Sequence, residues 1–113
     1  MKMTTKEILE KARERISNPQ NWCKKETAKK KVNDGFVACG IKDPGACQWC
    51  ATGALDAVIP FKFIFANLEP RRAAWKALDN STPIQCIVHF NDNRETTHKE
   101  IIEIFDRAIE ACK

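Results

Sequence analysis

The sequence predicts an all-α fold, a single compact domain of about five helices over residues 1–113, with one short β-hairpin between the first two helices. Three observations predict it. Both ends of the chain carry a capping box followed by an amphipathic stripe, at Thr4 and Glu7 and again at Thr97 and Glu100. The middle carries an Asp-Pro start signal followed by a run of small apolar residues, "DPGACQWCATGALDAVI". Between these, only one segment has strand-like runs flanking a turn signal, "KKKV" and "FVACG" around Asn33-Asp34-Gly35.

Each element follows from its own residues. Ile8, Leu9, Ala12 and Ile16 fall on one helical stripe, so the first helix is expected over 5–17, ended by Asn18-Pro19. Residues 21–40 have no sustained helical period and hold the candidate hairpin. Asp43 as N-cap and Pro44 at the first helical position predict a second helix reaching Ile59, with Ala46, Cys50, Gly53, Ala54 and Ala57 along one side for close packing against another helix. Phe61, Phe63 and Phe65 alternate, but a strand there lacks partners, and an irregular or short helical connection is expected. Pro70 opens a helix carrying Ala74, Trp75 and Leu78, and Ser81 to Pro83 restarts a short one holding Ile84, Ile87 and Val88. The last helix is the clearest, with Ile101, Phe105, Ala108, Ile109 and Cys112 opposite Glu103, Asp106 and Glu110.

Three motifs stand in order along this frame: "NWC" at Asn21 to Cys23, "DPGACQWCATGAL" at Asp43 to Leu55, and "HFNDNRETTHKEIIEIFDRAIE" at His89 to Glu110. Together they resemble a domain-of-unknown-function family of small bacterial and phage proteins. In that family a Trp-Cys, a Trp-Cys-Ala-x-Gly-Ala-Leu helix and a Trp-Asn-Asp ahead of a Thr-initiated helix recur. The likeness covers most of the chain except Pro60 to Pro83. It departs at Phe90, where the family has tryptophan, in the lysines after Cys23, and at Cys47. What it implies is a shared fold and a shared cluster of Trp22, Cys23, Trp49, Cys50, Asn91 and Asp92, not a reaction.

Composition narrows the class. A chain of 113 residues with 43% hydrophobic and 30% charged residues has material for one core. No run approaches the roughly 18 apolar residues of a membrane span, and no signal peptide is recognisable, so a cytoplasmic protein is expected, in the host cytoplasm if phage-encoded. The six cysteines are then expected as reduced thiols. The net charge of +4 is local: residues 24–31, with five lysines and one glutamate, hold all of the excess.

Several chemistries are compatible with these residues. A thiol-dependent enzyme would use Cys23 or Cys50 with His89 as base and Asn91 or Asp92 to orient it, because a thiol nucleophile needs an adjacent base held by a third group. Cys47-x-x-Cys50 has redox spacing but no βαβ context, and bulky Trp49 stands between the thiols. Zinc would draw on Cys39, Cys47 and Cys50 with Cys23, Cys86 or His89, but a second close pair is missing, so no metal and no cofactor are expected. Lys24, Lys25, Lys29, Lys30 and Lys31 suit an acidic protein surface first and nucleic acid second.

The leading expectation is a non-enzymatic binding or protein-interaction module with an acidic partner and no membrane association. The alternatives are the thiol-dependent enzyme and nucleic-acid binding. The two Trp-Cys motifs further predict that Trp22 and Trp49 meet Asn91 and Asp92, because a buried indole N–H needs an acceptor.

Overall fold

The computed structural model describes residues 3–60 and 69–112. Within them the chain forms a mixed α/β fold of five helices and one three-stranded antiparallel sheet, which overturns the all-α expectation. In chain order these are α1 (Thr5–Arg15), a 3-10 turn (Pro19–Asn21), β1 (Ala28–Val32), β2 (Gly35–Ala38), β3 (Ala46–Trp49), α2 (Ala51–Ala57), α3 (Glu69–Ser81), α4 (Ile87–Asp92) and α5 (His98–Glu110). The alternating segment at Phe61, Phe63 and Phe65 lies outside the described residues. Among those described, no helix is long and apolar enough to cross a membrane.

The terminal helices form as their patterns predict. Thr4 and Thr97 each accept from the main chain three residues on, and Glu7 and Glu100 return the bond, so both capping boxes are complete. Ile8, Leu9, Ala12 and Ile16 are buried, as are Ile101, Phe105 and Ala108 together with Ile104. α1 packs on α2, α3 and α5, and these faces close one hydrophobic cluster. His98 Nε2 lies 2.7 Å from the Ile16 carbonyl oxygen and ties the start of α5 to the end of α1.

The main departure is at residues 43–50. Asp43 does not start a helix; its Oδ1 accepts from Gly45 N at 2.7 Å and its carbonyl from Ala46 N at 2.9 Å, which closes a turn. The chain then runs as β3 along β1, with Ala28 opposite Trp49, Lys29 opposite Gln48 and Lys30 opposite Ala46, and a bulge between the last two pairs. Only at Cys50 does the helical path begin, so α2 has 7 residues and Cys47 and Cys50 are not on one helix. An Asp-Pro signal serves turns and helix starts alike; a hairpin already in place, offering β1 as a partner, selects the strand.

The sheet order is β2-β1-β3, and the hairpin turn uses Asn33 at φ 55°, a left-handed conformation that asparagine tolerates. The outer side of β3 is covered at its end by the chain after the 3-10 turn: Trp22 bridges Trp49 in parallel, and Cys23 N donates to the Trp49 carbonyl at 3.1 Å.

α2 is buried almost all round, Asp56 being its one residue outside the buried set. Its small residues admit main chain rather than a helix: a Cβ on Gly53 would stand 1.9 Å from the Thr27 carbonyl oxygen. That same oxygen accepts from Cys50 N at 3.2 Å. Arg71 Nε and Nη2 reach Asp56 at 2.6 and 3.0 Å and join α3 to α2. Ser81 to Pro83 does not restart a helix. Thr82 Oγ1 accepts from Cys86 N and Asp79 Oδ1 from Ile87 N, so α4 begins at Ile87 and leaves Ile84 and Val88 exposed.

Candidate functional site

The two outer motifs meet at Asn91. On α4, Ile87 and Asn91 are four residues apart and share the inward side, whereas His89 sits about 160° around the helix from Asn91 and is exposed. Asn91 is 1% exposed, and its amide is fully engaged. Oδ1 accepts from Trp22 Nε1 at 2.7 Å and from Ala51 N at 3.1 Å, while Nδ2 donates to the Cys23 carbonyl and to Asp92 Oδ1, both at 3.1 Å. Asp92 Oδ1 also accepts from Lys25 N at 2.7 Å, holding Lys25 at φ 74°. One side chain thereby joins three segments: the irregular chain after the 3-10 turn, the first turn of α2, and α4.

Trp49 joins this assembly through its main chain only. Its indole Nε1 donates to the Ile41 carbonyl at 3.5 Å, and Arg15 lies over its ring at 4.9 Å. Trp22 stacks obliquely on His98, with centroids 5.9 Å apart, and carries Lys24 Nζ 5.4 Å from its own.

All six cysteines are free thiols. Cys23 is buried, and its Sγ donates to the Glu26 carbonyl at 3.4 Å. Burial first, then the neighbouring Cys50 thiol, push its pKa up to about 12. Cys50 caps α2, its Sγ accepting from Gly53 N at 3.3 Å and lying 3.4 Å from Thr52 Oγ1. The structure does not bring His89 to either thiol, and the amide and carboxylate meant to orient that histidine are instead engaged with main-chain groups. Cys39 follows β2, Cys47 lies in β3 and Cys86 precedes α4. Among the described residues, no three His, Cys, Asp or Glu side chains gather at metal-binding range.

Beside the cluster opens a cavity of about 190 Å³. Cys50 and Thr52 line it from α2, Trp75 from α3, Ile87, Val88, Asn91 and Asp92 from α4, and Lys25, Glu26 and Thr27 from the loop ahead of β1. Trp75, Thr52 and Glu26 were not singled out by the sequence; Trp75 shows there only as part of an apolar stripe, and no local pattern reports a cavity shared by three helices and a loop.

The lysines do not act as one patch. Lys24 Nζ is held 2.7 Å from the Asn93 carbonyl and Lys30 pairs with Asp43 at 3.6 Å, whereas Lys25, Lys29 and Lys31 have no ion pair among the described residues. Lys29 and Lys31 alternate with Lys30 along β1 and so share the opposite face, together with Phe36, which pairs with Lys31. Outside them runs β2, exposed along its whole length, with Phe36 48% and Val37 45% exposed. Cys39 N donates to the Ala28 carbonyl, so the bonded pairs of the hairpin are Ala28 with Cys39, Lys30 with Val37 and Val32 with Gly35. The main-chain groups of Phe36 and Ala38 therefore point away from β1, along an edge that no strand covers among the described residues.

The model of a family of unknown function, DUF6197, matches residues 1–111. The chain belongs to that family. No curated protein and no solved structure matches it. Membership spans the hub, the cavity and the hairpin alike, so the match distinguishes none of them as the seat of function.

Proposed function

We propose that this DUF6197 member is a protein-interaction module that takes an extended, acidic segment of a partner protein onto the outer edge of β2. The carrying observation is the edge of β2, uncovered among the described residues, where the amides and carbonyls of Phe36 and Ala38 point outward toward the place of a fourth strand. Charge complementarity supports an acidic occupant: Lys29 and Lys31 stand on one face beside exposed Phe36, in the segment that holds the whole net charge. An edge of 4 residues is short, which by itself limits pairing, but Gly35-Phe36-Val37-Ala38 carries neither the charge nor the proline that further protects edges. We take the partner to be a cytoplasmic protein, a host factor where the gene is phage-borne.

The test is anisotropy of a labelled peptide of alternating glutamate and valine, titrated with the full chain. Binding that weakens as salt rises is expected, with loss on A38P, which removes an outward amide while leaving the β1–β2 ladder intact. K29A/K31A should weaken binding and flatten its salt dependence. A peptide N-methylated at alternate residues should not bind. Tighter binding of single-stranded DNA than of the peptide, or indifference to both A38P and N-methylation, overturns the proposal.

A further inference from the structure

The cavity beside Asn91 joins apolar walls to a charged mouth. Ile87 is fully buried, Cys50 is 8% exposed, and half-buried Trp75 offers an aromatic surface. The mouth carries the carboxylates of Asp92 and Glu26 against the single ammonium of Lys25. Lys25 is exposed and its ammonium has no ion pair among the described residues, whereas Asp92 is fixed through Oδ1 by Lys25 N and Asn91 Nδ2. Its Oδ2 has no hydrogen bond among the described residues. Both carboxylates act to keep the neighbouring Cys23 thiol protonated, with Lys29 acting the other way.

Size limits the occupant. A dry cavity of about 150 Å³ accommodates benzene, so 190 Å³ suits one ring with a short substituent and excludes a nucleotide. A carboxylate or phosphate ligand would face two like charges at the mouth. A cation matches them; the Trp75 ring already carries the Arg71 guanidinium 5.6 Å from its centroid and serves as a wall for the flat apolar body.

We propose that this cavity binds a small organic amine with a flat apolar body, the ammonium set between Asp92 and Glu26 and the body against Trp75, Ile87 and Val88. The site shares no residue with the β2 edge, so the two proposals fail separately.

The test is a 1H–15N NMR titration of the full chain with three matched probes: 2-phenylethylamine, 2-phenylethanol and phenylacetate. Saturable shifts at the Trp75 indole and at the amides of Ile87 and Val88 are expected for the amine. The alcohol should bind about tenfold or more weakly, the factor carried by a charge-assisted hydrogen bond, and the acid should not bind. D92N keeps an acceptor for Lys25 N but removes the charge, and should bring amine affinity down to that of the alcohol. V88W should fill the mouth and abolish all binding; if that variant does not fold, E26Q, at an exposed position, carries the test through weakened amine binding alone. Equal affinities for amine and alcohol, shifts confined to other surfaces, an unaffected E26Q and D92N, or no saturation at millimolar amine would each overturn the proposal.

Discussion

Replacing Asn91 by alanine removes four hydrogen bonds in a place water does not reach. The side chain is 1% exposed, and the Ala51 N–H and the Cys23 carbonyl lose it as their partner, as does the half-buried Trp22 indole. An orphaned buried polar group costs about 1–3 kcal/mol, so N91A should lose about 3–5 kcal/mol, a large share of the roughly 5–15 kcal/mol of a small domain. Urea unfolding followed by far-UV circular dichroism measures the loss, and a red shift of tryptophan emission would report the freed Trp22. N91D separates hydrogen bonding from shape. It puts an oxygen in place of Nδ2, facing the Cys23 carbonyl and Asp92 Oδ1, both of which repel a carboxylate. The introduced carboxyl therefore has its folded-state pKa raised above its unfolded value. Its stability contribution is present below the unfolded value and lost as pH rises through the folded one, so the deficit of N91D against wild type should shrink as pH falls through the raised folded value and level off below about 4. A loss below about 1 kcal/mol in N91A, or a deficit in N91D that does not vary with pH, would refute the view that Asn91 holds these segments together.

Gly53 offers a steric test: G53A drives a methyl into the Thr27 carbonyl, whose main chain is fixed by its bond to Cys50 N, so a loss of about 1–3 kcal/mol or more is expected in the same unfolding assay. Cys23 offers a titration test. Its thiol is raised from 9.0 to about 12 in the fold, so above pH 9 the unfolded chain releases a proton that the folded chain keeps, and stability should fall across that window. C23A should flatten this fall relative to wild type. In native protein at pH 8, alkylation read by mass spectrometry should reach Cys86 and Cys112 before Cys23, which should react only on unfolding.

Local signals that are self-sufficient were legible in the sequence. Thr4 with Glu7 and Thr97 with Glu100 close their capping boxes within four residues, and the stripes of α1 and α5 bury whichever partner they meet, so these helices could be placed without knowing the rest. The hairpin was legible for the same reason, since Asn33-Asp34 joins two runs that pair with each other. The meeting of Trp22 with Asn91 was accessible to chemical reasoning, because an indole N–H inside a core requires an acceptor.

What tertiary structure decided is whatever depends on a partner distant in the chain. Residues 46–49 carry a helix start signal and a run of small residues, yet become β3 because β1, itself made by the hairpin, offers a ladder that outweighs a weak local preference. Trp49 sends its indole to Ile41 rather than to Asn91 because a strand aims successive side chains to opposite faces, a direction that follows only once β3 exists. The lysine run is one block of charge in sequence but several environments in space, with Lys24 on Asn93, Lys25 at the cavity, Lys30 on Asp43, and Lys29 and Lys31 on the opposite face of β1 with no ion pair among the described residues. The cavity needs α2, α3, α4 and the loop ahead of β1 at once, and a volume enclosed by four separate segments leaves no periodic trace in any one of them.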